Sequence, residues 1–568
     1  MNRNSNTRFS QNPATTDIHR STFTRSHAHT TTFNAADLVP VYYDEILASD
    51  TFRIEQSSII RSQTPIHPVM DDAFLDTYFF FVPFRLVWEH WKNFMGENTL
   101  SAWVSDVTYI PPKVKSLTGF AEKSIADYFG MPTKVAGLEV DAMRFRAYRL
   151  IWNEWFRSEA IQDPLLVNTG DDETDNTIYG DLLKANKIFD MFTGALPAPQ
   201  RGEPVTLPLI GDAPLYTGST YTGEALSNPR TFYLAITGSG QTGSVGTRYN
   251  MTVGNYSTAL LGNQPNKVSA NMAAEGEVLT QATPELNFIN TYADMSQVSS
   301  ATVTQLRQAF AVQRLLEADA RGGGRYRSLL RTHFGASVPD ATVQIPEYLG
   351  GMRQNLRTQE VVQTSASAYV PAGGSLPTGA SDTPQGNTAA MSKTVGKGFI
   401  CEKSFTEPGM IIGVACVRQF HTYQQGIPRD AMRVSRFDYY WPELAHISEV
   451  GIKNSEIFVN TQTVQNGTAS EIFGYQEPWY EYRYKNNYVT GEMRSNSQNS
   501  LDIWHYADDY DAQPVLSSGW LAETDVYINR TLAVSSSRAD QFLASFYFDV
   551  RCTRPMPLYS VPGLTGHY

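Results

Sequence analysis

The chain has 568 residues, is 41% hydrophobic and only 18% charged, and carries a net charge of −12. Its length gives a prior of roughly three to five domains, and its acidic balance argues against a protein whose whole surface grips nucleic acid. Low charge with 30 Tyr, 29 Phe and 9 Trp points to a large β-rich protein with much buried or shared surface.

Residues 1–32 are polar, and Arg3, Arg8, Arg20 and Arg25 outweigh the single acid Asp17. This composition predicts a flexible or tethered arm, and its arginines are candidate contacts for a genome or a neighbouring subunit. From Phe33 the signals are β. Phe52, Ile54, Gln56, Ser58 and Ile60 alternate with Arg53, Glu55, Ser57 and Ile59, a strand with one moderately apolar face.

Between Phe74 and Phe94 nine residues are aromatic: Phe74, Tyr78, Phe79, Phe80, Phe81, Phe84, Trp88, Trp91 and Phe94. The run predicts a strand covered on both faces, ended by Pro83. The Trp88–Trp91–Phe94 spacing then predicts one face of a helix. Phe79, Phe81, Trp88 and Trp91 are the candidate subunit-packing aromatics.

Residues 141–158 read as a helix apolar nearly all round, except for a stripe of Arg146, Arg149, Asn153 and Arg157. Its three arginines are either one solvent-facing edge or contacts to phosphates or acidic groups of a neighbour. Residues 203–300 are rich in Gly, Ser, Thr and Asn and predict a β-turn-rich excursion. Residues 302–321 predict a helix with Val303, Leu306, Ala309, Phe310, Val312 and Leu316 on one half of the wheel, stopped by Gly322–Gly324.

Residues 363–398 are low-complexity, most simply an exposed loop. Met410–Val417 predicts a fully buried strand. Tyr480, Tyr482 and Tyr484 alternate as in a strand, most simply a packing ladder and otherwise a row that could stack bases. Phe542, Ala544, Phe546, Phe548 and Val550 make one strand face. The picture is an antiparallel β scaffold with long insertions and a few helices, which eight-stranded jelly rolls accommodate.

No catalytic signature stands out, and no cofactor is expected. Arg321–Arg325 (RGGGR) follows a helix and has no P-loop lysine after it, so it reads as cap and turn. The acids Asp171, Asp172, Glu173 and Asp175 lack EF-hand spacing and read as a solvated loop. His27 and His29 have no second ligand pair at zinc spacing, so no metal is expected. Cys401, Cys416 and Cys552 form no disulfide framework and point to a reducing compartment. The start shows no signal-peptide core, and the longest clean apolar run is far below the ~20 residues of a membrane helix.

Several stretches, in collinear order, resemble the major capsid protein of microviruses, in the gokushovirus branch of small single-stranded DNA phages. They include HTTTFNAADLVPVYYDEILASDTF (29–52), SQTPIHPVMDDAFLDTYFFFVPFRLVWEHWKNFMGEN (62–98) and YRLIWNEWFR (148–157). LRQAFAVQRLLEADARGGGRYRSLLRTHFG (306–335), IPEYLGG (345–351), GFICEKSFTEPGMIIGVACVR (398–418) and GYQEPWYEYRYKNNYVTGEMRS (474–495) continue the likeness.

The resemblance implies an eight-stranded antiparallel jelly roll split into 33–202 and 301–568, with 203–300 projecting outward at threefold axes as a candidate host-receptor contact. It also implies an icosahedral shell of about sixty copies, assembled in the host bacterial cytoplasm. Inside would lie circular single-stranded DNA with a small basic DNA-binding virion protein, which suits a chain too acidic to neutralise a genome itself. The competing readings are a β-rich carbohydrate-binding or adhesion protein and, with least support, an enzyme on a β scaffold.

Overall fold

The computed structural model describes residues 19–97, 109–174, 178–206, 302–362 and 388–559, together with the backbone of four short strands between 215 and 293. Two compact units are present: residues 1–202 with 316–568, and residues 203–315.

The first unit is built on two antiparallel sheets. One contains β1 (Ser21–Thr24), β2 (His27–Phe33), β4 (Thr51–Ser62), β7 (Thr394–Ser404) and β9 (Phe542–Arg554). β1 and β2 pair one after the other along β9, so they act as one interrupted edge strand; beyond β9 lie β4 and then β7. The other sheet runs β6 (Glu347–Leu356), β5 (Ala73–Pro83), β8 (Gly409–Gln419), β3 (Val39–Ile46). Eight strand positions in two facing sheets, with long connections between, are the predicted jelly roll. The sheets stay open at their edges.

The core lies between the sheets. Phe52, Ile54, Ile60, Phe546, Phe548 and Val550 from the first meet Leu75, Phe79, Phe81, Ile411 and Val417 from the second. Phe548 lies 6.0 Å from Phe79 and 5.0 Å from Tyr42, ring centre to ring centre. Gly413 makes room for this stack, because a Cβ there would meet the Phe79 ring at 2.8 Å.

The second sheet is also covered behind. Phe80, Val82, Met410, Ile412, Val414 and Cys416 pack against α1 (Met143–Ile151), which contributes Phe145, Tyr148 and Ile151. β5 and β8 therefore bury both faces, as their unbroken apolar runs predict. α1 continues as a wider π-type turn, Trp152–Phe156. A third cluster packs Phe192 against Tyr423, Ile452, Phe458, Phe473 and Tyr480 of the long connection between β8 and β9.

Four expectations change. Residues 21–33 are not a flexible arm, because they complete a sheet by pairing with β9; residues 1–18 lie outside the described residues. The helix expected through Trp88 is two single turns, Phe84–Val87 and Trp91–Phe94, with Trp88 extended between them. Its rings still gather, with Trp88 and Phe94 5.2 Å apart.

Tyr480–Tyr482 form a 3-10 turn rather than a strand. Trp479 enters it in the left-handed region (φ 53°), Tyr480 is buried and Tyr482 is exposed. Within 363–398, residues 388–392 and 394–404 are strands, so only 363–387, outside the described residues, is left of the expected loop. The helix α2 (Val303–Gly322) ends where the glycines predict, yet Val303 and Phe310 are exposed at 65% and 66%.

Candidate assembly and genome-contact surfaces

Of the arm's arginines, Arg3 and Arg8 lie outside the described residues. Arg20 and Arg25 are held by their own chain. Arg20 donates to the Ser49 carbonyl and to Thr51 Oγ1. Arg25 pairs with Asp44, a carboxylate that also lies 3.8 Å from Arg554, which in turn reaches Asp50 at 3.2 Å. These contacts staple the first strand and the end of β9 to the β3–β4 corner.

The arginine stripe is not a solvent edge. Arg146 is fully buried and donates to the carbonyls of Val87, at 3.2 Å, and Gly170, at 3.0 Å. Arg149 donates to Leu166 O at 3.3 Å, and Arg157 to Gln162 O at 2.7 Å. Asn153 bridges to Leu165 through both ends of its amide. Residues 162–170 have no regular structure, so their carbonyls lack ladder partners. The stripe supplies those donors. The alternation of residues in the helix does not reveal this, since the acceptors come from Val87, earlier in the chain, and from a loop folded back just after the helix.

Phe79, Phe81 and Trp88 are buried in the chain's own core, and Trp91 is half-buried. The indole of Trp88 donates to Asp171 Oδ1 at 2.6 Å, and His90 Nδ1 lies 2.6 Å from Asp171 Oδ2. Burial would raise this carboxyl, but the Trp88 and His90 hydrogen bonds outweigh it and hold it below the usual range. Asp171 is thus a partner of the aromatic block. Among the described residues no cluster of His, Cys, Asp and Glu could hold a metal, and no helix is long and apolar enough to cross a membrane.

The surface that sequence reasoning missed is the outer face of the β1/β2–β9–β4–β7 sheet. Ile59, Leu543, Tyr547, Val395 and Phe399 stand exposed there, between 45% and 63%. Arg53 and Lys397 flank them, each on Glu55, at 2.9 and 3.3 Å. The alternation in β4 and β9 marks this face as the outer one; the apolar residues on it were the available signal.

A buried polar network follows directly after β8. His421, fully enclosed, lies 2.8 Å from Asp508 and 3.3 Å from Glu523. Tyr510 donates to Asp508 at 2.6 Å, and the Lys187 ammonium sits 3.6 Å from Asp508 and 4.4 Å over Trp520. Burial opposes charge on the imidazole, but Glu523 and Asp508 overcome it, and its pKa is pushed up to about 10. Burial likewise opposes charge on Asp508, which His421 holds below the usual carboxylate range. The network ties the start of the β8–β9 connection to its end, and its groups are spent on each other.

The model of the family described as capsid protein (F protein) matches residues 11–564. A capsid protein VP1 of Bdellovibrio phage phiMH2K is 38% identical over 551 residues, covering 97% of this chain and 96% of its own. The capsid protein VP1 of Chlamydia phage 1 is 36% identical over 597 residues, and that of Spiroplasma virus 4 is 38% identical over 560, each covering at least 96% of both chains.

Proposed function

The chain belongs to the phage capsid protein (F protein) family and is a structural protein of the virion rather than an enzyme; from that premise we propose that it closes an icosahedral shell of about sixty copies around a single-stranded DNA genome. The observation that carries this reading is the two-sheet jelly roll, matched to the family from end to end. A chain of net charge −12 cannot neutralise DNA phosphates alone. A small basic virion protein therefore shares the interior. Assembly takes place in the host bacterial cytoplasm, in keeping with three buried free thiols.

The excursion at 203–300 projects outward and is the contact with a host surface receptor. Arg3 and Arg8 reach the interior DNA or a neighbouring subunit. Cryo-electron microscopy of native particles tests the reading, with closed shells holding nuclease-protected single-stranded DNA as the expected result. A stable monomer under assembly-permissive conditions, binding glycans and forming no particles, would replace it with the carbohydrate-binding alternative.

A further inference from the structure

The β8–β9 connection carries a run of exposed aromatic side chains. Val434 is 94% exposed, and Phe437, Tyr439, Tyr440, Trp441 and Tyr482 are between 45% and 59% exposed. Three single turns, Arg429–Met432, Arg436–Asp438 and Pro442–Leu444, hold this segment without any strand or long helix.

The surface is nevertheless fixed. Asp438 accepts from the backbone of Val434 at 2.9 Å and of Ser435 at 2.7 Å, and the Trp441 indole donates to Arg436 O at 2.8 Å. Arg433 pairs with Glu481 at 3.0 Å while its guanidinium lies 4.8 Å from the centre of the Tyr439 ring and 5.0 Å from that of Tyr482. Arg436 lies 4.7 Å from that of Phe437, and Tyr440 stands edge-on to Trp479 at 5.4 Å. Trp479 itself is held in the left-handed region, an uncommon conformation for so bulky a residue. Beside it opens a cleft of about 190 Å³ lined by Met432, Phe437, Val450, Lys453 and Trp479.

We propose that this aromatic–arginine surface is a subunit contact, occupied in the particle by a second copy of the same chain. Two observations choose that occupant. Guanidinium groups already cover one face of Phe437, Tyr439 and Tyr482, so the open π-faces that sugars or bases stack on are partly used. Residues 429–444 and 479–485 carry five cations against four acids, in a chain of net charge −12. That near-balance suits neither a phosphate backbone nor any strongly charged ligand, yet lets an acidic second copy approach without repulsion. Preorganised Tyr, Trp and Arg are also what the centres of protein interfaces are made of. The inference rests on the shell-building reading above.

The test uses the full chain. A photo-crosslinking amino acid at position 434 in native particles should yield covalent dimers of the chain. Val434→Asp with Tyr440→Asp should leave a soluble subunit with unchanged thermal unfolding and cut particle yield at least ~10-fold. Leu117→Asp, 74% exposed and part of neither this surface nor the outer sheet face, serves as a surface control. If wild-type chain forms no particles, the shell reading fails first. If the double variant assembles at wild-type yield, the inference is overturned. A fall in host adsorption alone would assign the surface to a glycan or receptor; a fall in packaged DNA alone would assign it to nucleic acid.

Discussion

The two sheets are made of similar strands and differ in what covers them. In β3–β8–β5–β6 the central strands are buried on both faces, by the opposite sheet and by α1. In β1/β2–β9–β4–β7 the central strands β4 and β9 alternate, and only the face toward the core is covered. A doubly covered strand spends every side chain on its own fold. A singly covered one leaves every second side chain free for another surface, which makes the outer face of the second kind available for assembly.

The largest effects should come from testing both faces of one strand. Phe79→Ala and Phe80→Ala should each cost about 3–5 kcal/mol, seen as large losses in thermal stability and soluble yield. Phe546→Ala should cost a similar amount, whereas its neighbour Tyr547→Ser should change stability by less than about 0.5 kcal/mol. Equal losses at Phe546 and Tyr547 would break the comparison.

Next comes Arg146→Met, which leaves the carbonyls of Val87 and Gly170 without their donor. A loss of about 1–3 kcal/mol is expected, measured by denaturant unfolding of unassembled subunits. Unchanged stability with reduced DNA content would instead restore a genome contact.

The buried network predicts a pH dependence. The folded pKa of His421 is about 10, above its ordinary value of 6.5. Its contribution is therefore complete below about pH 6.5 and disappears as pH rises through 10. The melting temperature should fall across that alkaline window, and His421→Gln should flatten the slope. The smallest effect is at the edge of the singly covered sheet. Arg20→Ala, exposed and bonded to the β3–β4 corner, should lower stability by no more than about 1 kcal/mol.

Much of this architecture was legible in the residues. The periods of β4, β5, β8 and β9, and the glycine stop of α2, follow from side chains that alternate or repeat locally. Tyr480, Tyr482 and Tyr484 show the limit. They alternate as a strand does, yet the left-handed Trp479 turns the chain, and Tyr480 OH donates to Glu456, which lies 24 residues earlier. Arg20, Arg25, Arg146, Arg149 and Arg157 likewise looked free because their acceptors are distant or come from a loop without a pattern of its own.

Sequence by itself determined which residues of β4 and β9 face which side, because the two-residue period is a property of the backbone. It also determined, through resemblance, the family. Only the tertiary structure decided what covers each face and which cations are already spent. Coverage and pairing depend on segments brought together across hundreds of residues: Phe548 meets Phe79, and Arg554 meets Asp50, by closure of the jelly roll rather than by any local rule.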